Sequence, residues 1–244
     1  MSLNKESPIP LYLQLKEILL GKIENCELKP HDRLPSERDL AKEFGISRMT
    51  VRQALNELAH EGRIYARVGK GTYVAEPKID QNLQVLTSFT EDMHNRGLVP
   101  SAKLLEAGLI PASPKLATIL HIQPGTEVVK LERLRLANDI PMALETAYLP
   151  HHLCPNILQY DLAARSLYEI LRRQYKLRLA KAKQTIEAAL ANEREAELLN
   201  LSIPSPILLM ERTTFLEEGQ VIEYVKSAYR GDKYKFHVVL LGSD

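Results

Sequence analysis

Two domains, both mixing helix and strand, are predicted by three features of the 244-residue sequence. Residues 34–74 carry two short helical periods and then a basic, glycine-tipped hairpin, which is the pattern of a winged helix-turn-helix. Residues 127–241 are dominated by period-two runs separated by turn residues, as expected of an antiparallel sheet with helices beside it, an α+β domain. Between these regions, residues 76–82 contain Pro77 and few large apolar side chains, and read as a linker. The expected domains are therefore 1–75 and 83–244, and the length suffices for two ordinary cores.

Residues 1–7 read as a mobile tail. Pro8-Ile9-Pro10 leads into a helix from about Leu11 to Asn25, with Leu11, Leu15, Ile18, Leu19 and Ile23 as its inward stripe. After a loop at 30–35, Ser36 caps a second helix with Asp39 in capping-box position, and Gly45 can end it in a left-handed conformation. Ser47 caps a third helix. Its Val51, Ala54, Leu55, Leu58 and Ala59 form one apolar stripe, which leaves Arg48, Met49, Arg52, Gln53 and Asn56 outside. Gly62 ends that helix, and Ile64 to Val68 turns through Gly69-Lys70-Gly71 into Thr72-Tyr73-Val74.

Arginines and amides on one helix face suit the DNA major groove, where arginine reads guanine and glutamine or asparagine reads adenine. Taken alone, Arg48 and Arg52 fit a solvated surface pair better. The hairpin favours DNA, because glycine lets backbone approach a phosphate or a minor groove and lysine adds charge. Formal net charge is only +1, yet Arg48, Arg52, Arg63, Arg67 and Lys70 outnumber Glu57 and Glu61 in this stretch, so basic charge is focused where DNA would lie. The stretch resembles the DNA-binding domain of the GntR family of bacterial transcription regulators, through LPSER at Leu34–Arg38 and TVRQAL at Thr50–Leu55. The resemblance implies that Arg38, Arg48 and Arg52 contact operator DNA, that Ser36, Met49 and Thr50 support them, and that Gly69 and Lys70 act at the wing tip.

In the second domain a short helix is expected at about Phe89–Arg96, a strand at Lys103–Leu109, and a helix opened by Ser113-Pro114. Strands at Glu127–Leu136 and Met142–Leu149 form a hairpin. Ser166 starts a helix with Glu169 in capping-box position. A strand at Arg178–Leu190 and a helix from Asn192 follow, then three successive antiparallel strands at Ile207–Leu216, Val221–Tyr229 and Tyr234–Leu241. Period two places Val129, Leu131, Arg133 and Arg135 on one face. Arginines on an apolar face need an anion, and a pair of them suits a phosphate. The alternative is that they pair with Glu145 across the hairpin or lie in solvent. Glu145 and Glu223, on separate strands among apolar neighbours, could accept hydrogen bonds from sugar hydroxyls, or be ordinary surface residues.

Residues 83–244 resemble the effector domain of the HutC-type subfamily of the same family, similar in fold to chorismate lyase but serving as a sensor. The stretches LTSFTEDM (Leu86–Met93), RLANDIPMALE (Arg135–Glu145) and KSAYRGDKY (Lys226–Tyr234) resemble those of repressors of N-acetylglucosamine utilisation. That implies an amino-sugar phosphate effector, either N-acetylglucosamine-6-phosphate or glucosamine-6-phosphate. Arg133, Arg135, Ser166, Leu167 and Tyr168 would surround the phosphate, Ser88 and Phe89 would close over it, and Glu145, Glu223 and Tyr229 would face the sugar. The implied partner is operator DNA with an inverted repeat, read by a homodimer in the cytoplasm.

Other classes are disfavoured. No apolar run approaches a membrane span and no signal peptide is apparent. Cys26 and Cys154 lack metal-type spacing and read as reduced thiols. There is no nucleophile elbow, Walker loop or metal cluster, and Gly69-Lys70-Gly71-Thr72 is too short for a P-loop, which argues against an enzyme and calls for no cofactor. His151-His152, in a proline-flanked loop, read as exposed. An architectural DNA binder would not need the second domain.

Overall fold

The computed structural model describes residues 3–67 and 69–240. The chain forms two compact units, Met1–Lys78 and Ile79–Asp244.

The first unit contains α1 (Leu11–Glu24), α2 (Glu37–Phe44), α3 (Arg48–His60) and a hairpin of β1 (Ile64–Arg67) and β2 (Gly71–Val74). Ser36 and Ser47 cap α2 and α3 by accepting the N–H groups of Asp39 and Thr50, and Gly45 ends α2 at φ 61°. These caps satisfy donors that each helix start would leave free, and they fix where the turn begins. Leu15, Leu19, Leu40, Val51, Leu58 and Val74 are almost fully buried in one cluster. Each contributes roughly 1.5–3 kcal/mol. Val68, expected in the hairpin, lies outside the described residues. The expected tail is corrected in part: Leu3 packs on this cluster and the Asn4 N–H donates to Gln14 Oε1 of α1 at 2.8 Å. Met1 and Ser2 lie outside the described residues.

The second unit begins with β3 (Ile79–Asn82), α4 (Phe89–Asn95), β4 (Pro100–Pro111), α5 (Pro114–Leu120), β5 (Glu127–Ala137) and β6 (Ile140–Pro150). It continues with α6 (Leu167–Arg173), β7 (Leu179–Leu190), α7 (Glu193–Leu199), β8 (Pro206–Leu216), β9 (Val221–Arg230) and β10 (Tyr234–His237). Among the described residues, six strands form one antiparallel sheet in the order β4-β5-β6-β9-β8-β7. α4 and α6 pack on one face, through Phe89, Met93, Leu167 and Ile170, and α5 and α7 on the other, through Leu120 and Leu199. Cys154 is buried and Cys26 exposed, both free thiols.

Two expectations are corrected. Ile79–Asn82, read as the end of the linker, is a strand that pairs in parallel with β10, Tyr234 opposite Ile79. β10 is consequently not a third antiparallel strand beside β9. Both edges of β9 are taken by β6 and β8, so β10 leaves the sheet, where Tyr234 packs edge-on against Tyr229. The expected end of that strand, Leu241, lies outside the described residues. The predicted capping box of α6 is half formed: Ser166 accepts the Glu169 N–H, but the Glu169 carboxylate pairs with Arg173.

Candidate functional site

In the first unit the side chains of α3 that face away from the core are exposed, Met49 at 68% and the Arg48 and Arg52 side chains at 63% and 50%. Arg52 donates from Nε and Nη2 to the two carboxylate oxygens of Glu37, both at 2.9 Å, and Arg48 Nη2 lies 3.5 Å from the same carboxylate. A single acid at the start of α2 thus holds both arginines of α3 in a fixed fork, and Arg52 keeps the Glu37 carboxyl below its ordinary range. Thr50 is tied to Ser47, Oγ1 to Oγ at 2.9 Å, and Ser36 is occupied in capping α2. Arg38, with its side chain 84% exposed, lies 4.0 Å from Asp39. At the wing tip Gly69 has φ 71° and Gly71 φ 111°, and a Cβ on Gly71 would meet Arg33 Nε at 2.9 Å. The Tyr73 hydroxyl donates to the Lys70 carbonyl at 3.2 Å. Arg67 lies over the rings of Tyr65 and Tyr73, at 5.4 and 5.2 Å. Arg67 was counted only for its charge, and Glu37 and Arg33 were not singled out: an acid in a first helical turn reads as support for the helix dipole, and only the α2–α3 packing shows what it faces.

In the second unit the strand residues predicted on one face converge with the starts of α4 and α6. A pocket of about 490 Å³, counting its open mouth, is floored by Arg133, Arg135, Glu145, Glu223 and Tyr229 and walled by Ser88, Phe89, Leu167 and Tyr168. Ser166 does not line it, but donates from Oγ to Ser88 Oγ at 3.2 Å. Arg133 and Arg135 are each 4% exposed. Register places Arg133 opposite Glu145, and the two pair at 2.5 Å, while Arg133 Nη1 reaches the Leu162 carbonyl at 3.2 Å. The alternative of cross-hairpin pairing therefore holds for Arg133, in the interior rather than at the surface. Arg135 is different. It donates to Thr90 Oγ1 at 2.9 Å and lies 4.7 Å over the Phe89 ring, with no carboxylate in ion-pair contact among the described residues. Burial, and then the neighbouring Arg133, push its pKa down to about 10. The Nε atoms of both arginines are buried without an acceptor.

The acids respond to the same surroundings. Burial would raise the Glu145 carboxyl, but Arg133 and Arg135 outweigh it and hold the group below its ordinary range. Glu223 is raised by burial and then by Glu145, and accepts hydrogen bonds from the hydroxyls of Tyr168 at 2.9 Å and Thr214 at 3.1 Å. Burial and Glu145 push the Tyr229 hydroxyl up to about 12. Arg212, Thr214 and Gln81 were missed. Met210, Arg212 and Thr214 alternate on β8 as Leu131, Arg133 and Arg135 do on β5, so period two could have found them; Gln81 carried no signal because its strand was read as linker. Of the expected exposed histidines, His151 lies 3.4 Å from Glu127. No cluster of three metal-ligating side chains occurs among the described residues, and none of their helices is long and apolar enough to cross a membrane.

Known proteins match both units. The model of bacterial regulatory proteins of the gntR family matches residues 11–74, and that of the UTRA domain matches residues 95–235. The HTH-type transcriptional repressor NagR of Bacillus subtilis is 45% identical over 236 residues, 97% of each chain. The mannosyl-D-glycerate transport/metabolism system repressor MngR of Escherichia coli is 35% identical over 94% of this chain and 95% of that one. The crystal structure of PhnF from Mycobacterium smegmatis superposes with a TM-score of 0.68 at 33% identity, covering 95% of this chain and 99% of that one. The chain belongs to the gntR family of bacterial transcription regulators, with a winged helix-turn-helix unit followed by a UTRA domain.

Proposed function

We propose that this regulator is a homodimeric repressor of amino-sugar uptake and catabolism in the cytoplasm, released from its operator by an amino-sugar phosphate. The observation that carries the effector is Arg135, a buried guanidinium without a carboxylate partner, next to an arginine that has one. A buried charge left unanswered is costly, and a phosphate dianion seated between Arg133 and Arg135 supplies the missing acceptor. Glu145 and Glu223 then face the sugar hydroxyls. The resemblance of residues 86–93, 135–145 and 226–234 to repressors of N-acetylglucosamine utilisation supports an amino sugar over other phosphorylated ligands.

In this reading α3 enters the major groove with Arg48 and Arg52, Arg38 reaches from α2, and Gly69 and Lys70 approach the adjacent backbone. Each protomer reads one half-site of an inverted repeat. Effector releases the operator only if it binds the non-reading arrangement of the dimer more tightly than the reading one. The test is fluorescence anisotropy on an inverted-repeat operator from the upstream region of the gene at fixed salt. Release by N-acetylglucosamine-6-phosphate or glucosamine-6-phosphate, but not by the unphosphorylated sugar, is expected. Tight operator binding that ignores all three would move the effector to another metabolite.

A further inference from the structure

Gln81 on β3 is 6% exposed, a buried carboxamide. It lines the arginine pocket and also a second cleft, between residues 82–86 and β7, the edge strand of the sheet among the described residues. Arg212 is the other residue common to both. It donates from Nε to Gln184 Oε1 at 2.6 Å and from Nη1 to the Thr87 carbonyl at 3.2 Å. The two side chains thus stand at the border of both cavities. Counted alike with the parts open to solvent, the second cleft measures about 1040 Å³ against about 490 Å³ for the first.

The lining of the second cleft narrows what it can hold. It presents the amides of Gln81, Asn82, Gln84 and Gln184, aliphatic surface from Leu83 and Ile186, the cations Lys181 and Arg212, and no carboxylate. Amides donate and accept in one group, as hydroxyl and acetamido substituents require, and aliphatic walls suit the C–H faces of a pyranose ring. Cationic ligands would meet only like charge. We propose that this cleft is a second sugar subsite, so that the ligands of the UTRA domain include phosphorylated amino-disaccharides with one ring in the arginine pocket and the other beyond Gln81 and Arg212. The proposal rests on the sugar-phosphate reading above.

The test is calorimetric titration of the full chain with N-acetylglucosamine-6-phosphate and with N,N′-diacetylchitobiose carrying a 6-phosphate on one ring. Wild type is compared with Ala182→Trp, which places an indole in the cleft from an exposed position on β7. Wild type is expected to bind both ligands. Ala182→Trp should weaken the disaccharide phosphate by at least about tenfold, the equivalent of one or two lost hydrogen bonds, and leave the monosaccharide phosphate within about twofold. Retained binding of the smaller ligand also reports that the variant is folded. Wild type that takes the monosaccharide phosphate but refuses the disaccharide overturns the subsite alone, as does equal weakening of both by Ala182→Trp. Failure of both ligands on wild type overturns the sugar-phosphate reading and the subsite with it.

Discussion

Arg52 on α3 and Arg133 on β5 each donate to a glutamate, at 2.9 and 2.5 Å, but the side chain of the first is 50% exposed and that of the second 4%. In water the Arg52–Glu37 pair is worth about 0–1 kcal/mol, so its effect is geometric: it presents a guanidinium in one orientation and gives it up cheaply. Inside the UTRA domain the same chemistry is structural. Two charges removed from water depend on each other, and loss of one strands the other. Arg135 completes the contrast, since it shares the burial of Arg133 without sharing its partner. In the proposed reading the two kinds of arginine serve different ends, one set exchanging its acid for a base edge and the other answering an anion.

The largest expected effect separates the two buried arginines. Arg133→Ala leaves Glu145 buried and unpaired and should destabilise the second unit by about 3–5 kcal/mol. Arg135→Met breaks no ion pair and removes a buried charge that has no carboxylate partner, so it should destabilise far less than Arg133→Ala. Both should abolish release by sugar phosphate, and Arg135→Met should keep full operator affinity. Urea unfolding together with operator anisotropy would measure this. Release of the Arg135→Met protein at unchanged effector concentrations would remove the pocket from the mechanism.

Arg52→Ala comes next. It should cost about 1–3 kcal/mol of operator affinity and relax specificity, while folding shifts by no more than about 0.5 kcal/mol, as expected for an exposed side chain. Competition with random-sequence DNA reads the difference. Equal loss on operator and random DNA would make Arg52 a phosphate contact instead of a base reader.

How legible each region was in the sequence follows from the distance between its parts. The reading head is local: two caps, a glycine and one apolar stripe within residues 36–62 define α2 and α3, and the outward arginines follow by subtraction. Glu37 escaped because its partners lie a helix away. In the UTRA domain, alternation on β5 gave the shared face of Arg133 and Arg135, and the caps gave the starts of α5, α6 and α7. That Ser88, Tyr168 and Glu223 meet these arginines depends on four strands and two helices coming together, which no local period contains; family resemblance supplied it. β3 was hidden because four residues with one large apolar side chain look like linker until β10 pairs with them.

Glu223 offers a pH test of burial itself. Its carboxyl is raised above the ordinary 4.5, so the folded state holds the proton longer than the unfolded one. The resulting stabilisation is fully present below pH 4.5 and is lost as pH rises through the raised folded value. Glu223→Gln lacks this dependence. The melting temperature of the variant should therefore gain on that of wild type as pH rises across this interval, whereas Glu37→Gln, in the exposed pair, should show no such gain. Parallel melting curves for Glu223→Gln and wild type would mean that the carboxyl titrates as it does in water.

The smallest effect belongs to Lys70. The tip is shaped by its backbone, with Gly69 and Gly71 at positive φ and the Lys70 carbonyl accepting from Tyr73, so Lys70→Ala removes a charge and leaves the wing in place. If the ammonium neutralises one phosphate, the slope of log K against log salt should become shallower by about 0.9, equally on operator and random DNA. At high salt the variant and wild type should converge, because screening has already removed what the substitution removes. Arg52→Ala should instead keep its deficit on the operator at every salt concentration. A salt slope unchanged by Lys70→Ala would take the lysine off the phosphate backbone and leave contact at the tip to the glycine backbone alone.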